Sequence, residues 1–232
     1  MERRKFKPEI VSDLSVRILA PEKTILLPGE VGATIEWVIS DTKTGQIFQH
    51  QPPKRAESFT KAFFQLLYMQ MAHLHVRLGT VVRCTDGLDY MVYSTGDFLN
   101  SNAALNIDTA GVVVGSGSTP PTISDSALGM KIAHGTGSGQ LQYGAVAFGA
   151  PASDSTTSQF TVTRNFANAS GSSVTVNEIG LYVTQYSHVQ YPARGQWPFT
   201  VVCMVLRDVI SGGIAVPNGQ TLTVNYRQKA AS

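Results

Sequence analysis

Alternation of apolar and polar residues with a period of two governs the chain from Thr80 onward and limits the folds open to it. The segment FTVTRNF (residues 160–166) alternates, and similar β-prone runs cover residues 174–183 and 221–226. Turn residues separate the runs: Ser170-Gly171, Pro217-Asn-Gly219 and, earlier, Asp86-Gly87. Short runs of this kind divided by Gly, Asn, Ser and Pro are typical of antiparallel sheets. We therefore predict a mainly β fold, an antiparallel β-sandwich that resembles a jelly roll.

The composition is compatible with such a domain and restricts its partners. Hydrophobic residues make up 43% of the 232, which is enough for a sizeable core. Charged residues make up only 15%, against about 25% in ordinary soluble domains. The surface is therefore rich in Ser, Thr, Asn, Gln and Gly, as is common in extracellular and viral-particle β proteins. A net charge of +2 is too small to indicate specific nucleic-acid binding across the fold.

We divide the chain into three zones: an N-terminal arm (1–13), a zone of strands plus a helix (14–78) and the sandwich (79–232), the last two expected to pack as one unit. No apolar stretch follows the charges of the arm, so no secretory signal is expected. The longest apolar run, near residues 201–206, is too short to span a bilayer. We expect a chain that is made in the cytoplasm and does not insert into membranes.

The arm, MERRKFKP, is basic and has no pattern that would fold by itself. Its positive charges come from Arg3, Arg4, Lys5 and Lys7, and Phe6 is its one aromatic side chain. We predict that the arm docks on an acidic face of a neighbouring chain, with Phe6 packing there. Several ion pairs must act together, since a single exposed pair contributes only about 0–1 kcal/mol.

The second zone contains the one convincing helix, predicted over residues 58–74 after the breaker Pro52-Pro53, with Ser58 placed to cap it. One apolar face carries Phe59, Phe63, Leu66, Leu67 and Leu74. A second apolar face carries Phe64, Tyr68 and Met71. A helix this apolar must be covered on most sides, either under a sheet or between subunits. We therefore treat Phe64, Tyr68 and Met71 as candidate interface residues.

The glycine-rich segment GVVVGSGSTPP (residues 111–121) raises the question of a phosphate-binding loop. Gly115 and Gly117 fit the first two positions of a dinucleotide loop, but Pro120 stands where the third glycine belongs. Pro120-Pro121 also prevents a helix from starting directly at the loop, and no Lys follows at P-loop spacing. We predict a turn in which Gly115 and Gly117 allow unusual backbone angles, and no cofactor.

Other candidates for chemistry are weak, and we predict no catalytic or metal site. His73 and His75 could place two imidazoles together, but no third ligand is evident. Glu178, Arg207 and Asp208 are charges within apolar strands. A carboxylate pair for glycosidic chemistry is one interpretation. The favoured one is an ion pair, internal or at an interface, that involves Arg164 or Arg207.

The two tryptophans and two cysteines leave alternatives open. Trp37 and Trp197 could stack on a sugar, although core and interface packing are commoner uses of indoles. Cys84 and Cys203 lie in strand-like runs, where buried free thiols are the simpler interpretation. Spacing alone does not exclude a long-range disulfide between them.

The order of motifs in the C-terminal half resembles minor virion proteins of tailed bacteriophages, whether head- or tail-associated. The resemblance is carried by GVVVGSGSTPPTISDSAL (111–128), QLQYG (140–144), FTVTRNF (160–166), VTVNEIGLY (174–182), LRDVI (206–210) and GQTLTVNY (219–226). The DTKTG turn (41–45) and the helix are also similar, so the resemblance extends from about residue 41 to residue 226. Each motif alone is a strand with its turn, and the order supplies the specificity.

The resemblance implies a non-enzymatic structural protein of a virion, capsid-associated or decorating it, at the head–tail junction or in the tail. It implies docking on other virion proteins as a homo-oligomer, and no catalytic residues. The first alternative is a carbohydrate- or receptor-binding tail module with Trp197 in a loop. The second is a glycan hydrolase that uses Glu178.

Overall fold

The structure is a computed structural model that describes residues 30–56, 58–74, 79–94, 98–191 and 195–232, without the side chains of residues 188–198. The predicted arm (1–13) and residues 14–29 of the second predicted zone lie outside the described residues. The elements, in chain order, are β1 (Val31–Asp41), β2 (Ile47–Arg55), β3 (Ser58–Phe59), α1 (Lys61–Met71), β4 (Thr80–Arg83), β5 (Asp89–Val92), β6 (Gly111–Gly115), β7 (Gln142–Tyr143), β8 (Ala147–Phe148), β9 (Ala152–Ser153), β10 (Thr157–Ala167), β11 (Val174–Tyr191), β12 (Gly195–Val216) and β13 (Gln220–Ala231).

The strands form two antiparallel sheets. The first has the order β2-β1-β13-β10, and the short strands β7, β8 and β9 pair along the far side of β10. The second has the order β3-β12-β11-β5-β4, and β6 also pairs with β11. The predicted mainly β, antiparallel, sandwich-like class with one apolar helix is confirmed. Because β1 lies between β2 and β13, strands from the second and third zones share one sheet.

The predicted turns lie where glycine is needed. Asp41 opens the DTKTG turn, with its Oδ1 accepting hydrogen bonds from the Lys43 and Thr44 amides, and Gly45 closes it with φ of 72°. Gly87 links β4 to β5 with φ of 80°, and Gly219 links β12 to β13 with φ of 82°. Glycine adopts these left-handed angles without the steric cost that a Cβ brings. Local turn chemistry therefore sets the hairpins.

The core lies between the sheets and follows the alternation. On β10, Val162 and Phe166 are buried, and on β13 the buried residues include Leu222, Val224 and Tyr226. Arg164 occupies the same face as Val162 and Phe166 and is fully buried. A charged side chain at a core position requires hydrogen-bonding partners, and these are described below.

The helix is shorter than predicted, running from Lys61 to Met71 rather than over residues 58–74. Ser58, the predicted cap, instead lies in β3 and pairs with Arg207 of β12. Thr60 is the N-cap residue, but its hydroxyl donates to the Met204 carbonyl at 2.5 Å and makes no capping bond. The strand register to β12 therefore decides where the helix begins. Within the described residues, no helix has the length and apolarity needed to cross a membrane.

Candidate interface

One face of α1 is buried and the opposite face is exposed, and both are apolar. Ala62, Leu66 and Met69 are buried where the helix packs against β4 and β12. Phe64, Tyr68 and Met71 are 55%, 61% and 79% exposed. We call these three residues the helix ridge. Their spacing of four and three residues places them on one side of the helix. The described part of the chain thus covers Leu66 of the first predicted apolar face fully and its other residues in part, and leaves the second face open.

An aromatic cluster connects the helix ridge to the interior. The ring of Phe63 lies 4.6 Å from that of Phe59 and 5.3 Å from that of Phe64, measured between centroids. The Phe63–Phe64 pair is edge-to-face, an arrangement that adds about 0.5–1.5 kcal/mol to the burial of the rings. The base of the ridge is therefore rigidly packed.

Hydrogen bonds to neighbouring segments fix the helix in place. The Lys61 amide, one of the unsatisfied donors at a helix start, donates to the Ile123 carbonyl at 2.7 Å. The side-chain nitrogen (Nε2) of Gln65 donates to the Val81 carbonyl at 2.8 Å. Ile123 is itself 59% exposed and extends the apolar surface beside the helix start. The position of the helix thus depends on the loop that contains Ile123.

That loop is anchored by a buried charge cluster centred on Glu178, whose side chain is fully buried. Glu178 Oε1 accepts from the Gly117 and Met130 amides at 3.1 and 2.8 Å, and Oε2 accepts from the Gly129 amide at 3.0 Å. Arg207 donates to Oε2 from Nε at 3.0 Å and from Nη2 at 2.8 Å. A buried carboxylate is stable only with such a full set of donors. The predicted ion pair thus forms between Glu178 and Arg207 and holds both ends of the loop.

Asp125 completes the cluster from within the loop. Arg207 Nη1 donates to Asp125 Oδ2 at 2.6 Å, and Asp125 also accepts from the Thr122 amide and hydroxyl, each at 2.8 Å. Partial burial opposes ionisation of Asp125, but the hydrogen bonds from Thr122 and Arg207 outweigh it and lower its pKa. For Arg207, burial is outweighed in turn by its two acidic partners, which raise its pKa. Both groups are charged at neutral pH.

The lowered pKa of Asp125 predicts an acid-sensitive contribution to stability. Its folded pKa lies below the ordinary 3.8, so its stabilisation is complete above that pH and is lost as the pH falls through the folded value. We expect Asp125→Asn to cost about 1–2 kcal/mol near pH 7. Urea unfolding of both proteins from about pH 7 to about pH 3 should show this difference shrinking. A difference that is independent of pH would contradict the assignment.

Gly115 and Gly117 serve the charge cluster rather than a turn, which corrects our interpretation. Neither is among the glycines with positive φ, and Gly115 is the last residue of β6. A Cβ on Gly115 would lie 2.6 Å from Glu178 Oε1 and 2.7 Å from the Met130 carbonyl oxygen. A Cβ on Gly117 would overlap the same Oε1. The glycines are needed because the backbone approaches a buried carboxylate, not because of their backbone angles.

Arg164 does not contact Glu178, although it was the other candidate for the ion pair. Its guanidinium donates to main-chain carbonyls: Nε to Gly144, Nη1 to Ala110 and Val112 (each 2.8 Å), and Nη2 to Ile107 and Ala104. It also lies over the Tyr143 ring, 4.8 Å from the centroid. Burial lowers its pKa to about 10, so it keeps its charge at neutral pH. Arg164 therefore ties residues 104–112 and 144 to β10.

Asp208 links the two sheets. Neighbouring residues of a strand point to opposite faces, so Asp208 lies across the strand from the Arg207 cluster. The Tyr226 hydroxyl of β13 donates to Asp208 Oδ2 at 2.6 Å, and both residues are fully buried. The two carboxylates, Glu178 and Asp208, are therefore both buried and do not face each other across an open cleft.

Cys84 and Cys203 are free, buried thiols with their sulfur atoms 2.9 Å apart. The hydrogen bond with Cys203, together with burial, raises the pKa of Cys84. A protonated, inaccessible thiol is a poor nucleophile. We expect a thiol reagent such as dithionitrobenzoate to leave the native protein unmodified and to label both cysteines after denaturation without reductant. Labelling of neither cysteine in the denatured chain would instead indicate a disulfide.

The remaining predicted residues are exposed, partly buried or outside the described part of the chain. His73 is exposed in the turn after α1, with φ of 47°. His75, the arm residues Arg3, Arg4, Lys5, Phe6 and Lys7, and the side chain of Trp197 lie outside the described residues. Trp37 packs, partly buried, on the core from β1. Among the described residues there is no group of three His, Cys, Asp or Glu that could hold a metal ion.

Sequence reasoning missed Asp125 and the partners of Arg164. The sequence did contain a signal that Arg164 needs buried partners. In the alternating run of β10, Arg164 lies on the same face as Val162 and Phe166, which is the face that alternation assigns to the core. In comparisons with known proteins, no family model, curated protein or solved structure matches the chain.

Proposed function

We propose that this chain is a non-enzymatic structural component of a tailed-phage virion that acts by docking on copies of itself and on other virion proteins. The helix ridge is its principal self-association surface. The observation that carries the proposal is the exposure of Phe64, Tyr68 and Met71 on a helix that is otherwise firmly anchored. Aromatic and methionine side chains are enriched at the cores of protein interfaces, and large contiguous apolar patches are rare on the surfaces of monomeric domains.

The anchoring of the ridge supports a docking role rather than an incidental exposure. The ridge continues into the Phe59–Phe63–Phe64 cluster. Its N-terminal end is held by the Ile123 loop, which the Glu178 cluster fastens in turn. A preorganised surface loses little side-chain entropy on association. The buried charges thus have a mechanical purpose, which is to hold an apolar surface in one position.

The resemblance to minor virion proteins supports the choice of assembly. The resembling motifs overlap β6, β7, β10, β11, β12 and β13, which contribute to both sheets. A charge-poor polar exterior, with 15% charged residues, suits a particle component with many neighbours. Localisation in the virion follows from this proposal.

Self-association is tested by sedimentation velocity on the full chain over a wide concentration range. We expect the wild type to form an oligomer and Tyr68→Glu to shift it toward monomer, because association would bury an unpaired carboxylate. Thr175→Glu, on an exposed position of β11, is the control and should behave as the wild type. A wild type that remains monomeric at high concentration would rule out the ridge as a self-association surface.

The particle itself supplies the second test. An antibody or a cryo-EM reconstruction should find the protein in purified virions, and Tyr68→Glu should lower its incorporation while Thr175→Glu should not. Virions that lack the protein altogether would contradict the structural role.

A further inference from the structure

An apolar groove opens between the two sheets next to the aromatic cluster. Its volume is about 290 Å³, roughly twice that of an engineered apolar cavity that holds benzene. Val162 of the first sheet and Val183 and Val205 of the second form its floor and are almost completely buried. Phe148 and Phe160 stand at its rim and are 49% and 39% exposed. The groove is therefore an unfilled part of the core with an open side.

One polar group in the groove has no partner among the described residues. The side-chain nitrogen of Gln228, on β13, is buried without a hydrogen-bond acceptor, and Gln228 lines the groove. Buried amide donors are almost always satisfied in native proteins. An occupant with a carbonyl oxygen would accept a hydrogen bond from Gln228, and its apolar groups would pack against the apolar walls. A stretch of polypeptide has both kinds of group.

The described chain begins beside this groove. The Ala231 amide donates to the Glu30 carbonyl at 2.9 Å, Val31 pairs with Ala230, and Ala33 pairs with Gln228. Glu30 is thus three residues along its strand from the residue opposite Gln228, about 10 Å at the rise of a β-strand. A segment that precedes Glu30 therefore needs to span only this short distance to enter the groove.

Those residues contain one stretch with the chemistry that the groove requires. In residues 14–18 (LSVRI), Leu14, Val16 and Ile18 alternate with Ser15 and Arg17. As an extended strand, the stretch has one apolar face and one polar face. The twelve residues from Ile18 to Glu30 span up to about 40 Å when extended, several times the distance needed. An apolar face toward the walls and a polar face toward solvent match a groove that is open on one side.

We propose that residues 14–18 of the chain dock in its own groove in an extended conformation, with Leu14, Val16 and Ile18 against the valine floor and a main-chain carbonyl accepting from Gln228. The docked segment completes the core between the sheets beside the helix ridge. This inference does not depend on the virion proposal, because it concerns the folded chain alone.

A photo-cross-link from the rim tests the proposal on the full chain. Benzoylphenylalanine replaces Phe160 in one protein and Phe48 in the control, since Phe48 is 49% exposed on β2 of the same sheet. We expect irradiation to join position 160, and not position 48, to the tryptic peptide that ends at Arg17 or to the one that begins at Ile18. Mixing ¹⁵N-labelled and unlabelled protein separates links within one chain from links between chains.

Links only between chains, links to other peptides, or no link would each overturn the proposal. Hydrogen exchange on the unmodified protein provides a test that needs no substitution. The amides of residues 14–18 should exchange at least tenfold more slowly than those of residues 1–7, and Val16→Asp should remove this protection while Ser15→Asp should not. Equal, fast exchange in both segments of the unmodified protein would also overturn it.

Discussion

Replacing Arg207 by methionine is expected to lower the free energy of unfolding by about 3–5 kcal/mol, since breaking a buried ion pair leaves an uncompensated charge. Glu178 is fully buried and would keep three amide donors but lose its counter-charge. Asp125 would lose its partner at 2.6 Å in the same step. The chain cannot relax easily around the carboxylate, because the main chain at Gly115 and Gly117 already lies against it.

The matched control for Arg207→Met is Arg83→Met. Arg83 and Asp89 form a pair at 3.4 Å with side chains 54% and 58% exposed. Removing one partner of such a pair is expected to cost at most about 1 kcal/mol. Urea unfolding followed by far-ultraviolet circular dichroism compares the two variants with the wild type. Equal, small losses would show that the Glu178 cluster contributes no more than a surface pair.

The Arg207 variant also tests how the cluster supports the helix. The cluster holds the loop whose Ile123 carbonyl accepts from the Lys61 amide. We therefore expect amide exchange at the start of α1 to accelerate in Arg207→Met under conditions in which the core of β10 and β13 stays protected. Self-association through the helix ridge should weaken in the same variant.

Replacing Arg164 by methionine is expected to cost about 4 kcal/mol, because several buried carbonyls lose their donors and each unsatisfied group costs about 1–3 kcal/mol. The affected carbonyls belong to Gly144, Ala110, Val112, Ile107 and Ala104. Arg164→Lys should recover part of the loss, since an ammonium group keeps the charge but has three donors instead of five.

Lys131→Met is the control for Arg164. Lys131 bonds Asp108 at 3.0 Å in the same group of loops, but it is 36% exposed, so its removal should cost about 1 kcal/mol or less. Thermal and urea unfolding rank the three variants, and hydrogen exchange should show the largest loss of protection at residues 104–112 in Arg164→Met. A methionine variant as stable as Lys131→Met would mean that other groups or water satisfy those carbonyls.

The candidate interface could be predicted in part. The apolar residues of α1 are a local pattern, so Phe64, Tyr68 and Met71 could be identified as a second face. The sequence could not show that these three residues are exposed in the folded chain, because their exposure depends on which face of the helix packs against β4 and β12. The end points of the helix were wrong for a similar reason. Pairing of Ser58 with Arg207, 149 positions away in sequence, takes precedence over the local capping preference.

The sequence by itself determined the mainly β class, the hairpin turns, the apolar helix and the presence of buried charges, because alternation and turn chemistry act between residues close along the chain. Only the tertiary structure decided the partners. It pairs β1 with β13 across almost the whole described chain. It places Glu178 in an ion pair with Arg207, and it places the Arg164 guanidinium within hydrogen-bonding distance of five main-chain carbonyls. It also shows that Gly115 and Gly117 make room for a carboxylate. These facts depend on contacts between residues far apart in sequence, and such contacts are specified by the packing of the whole core rather than by any local pattern.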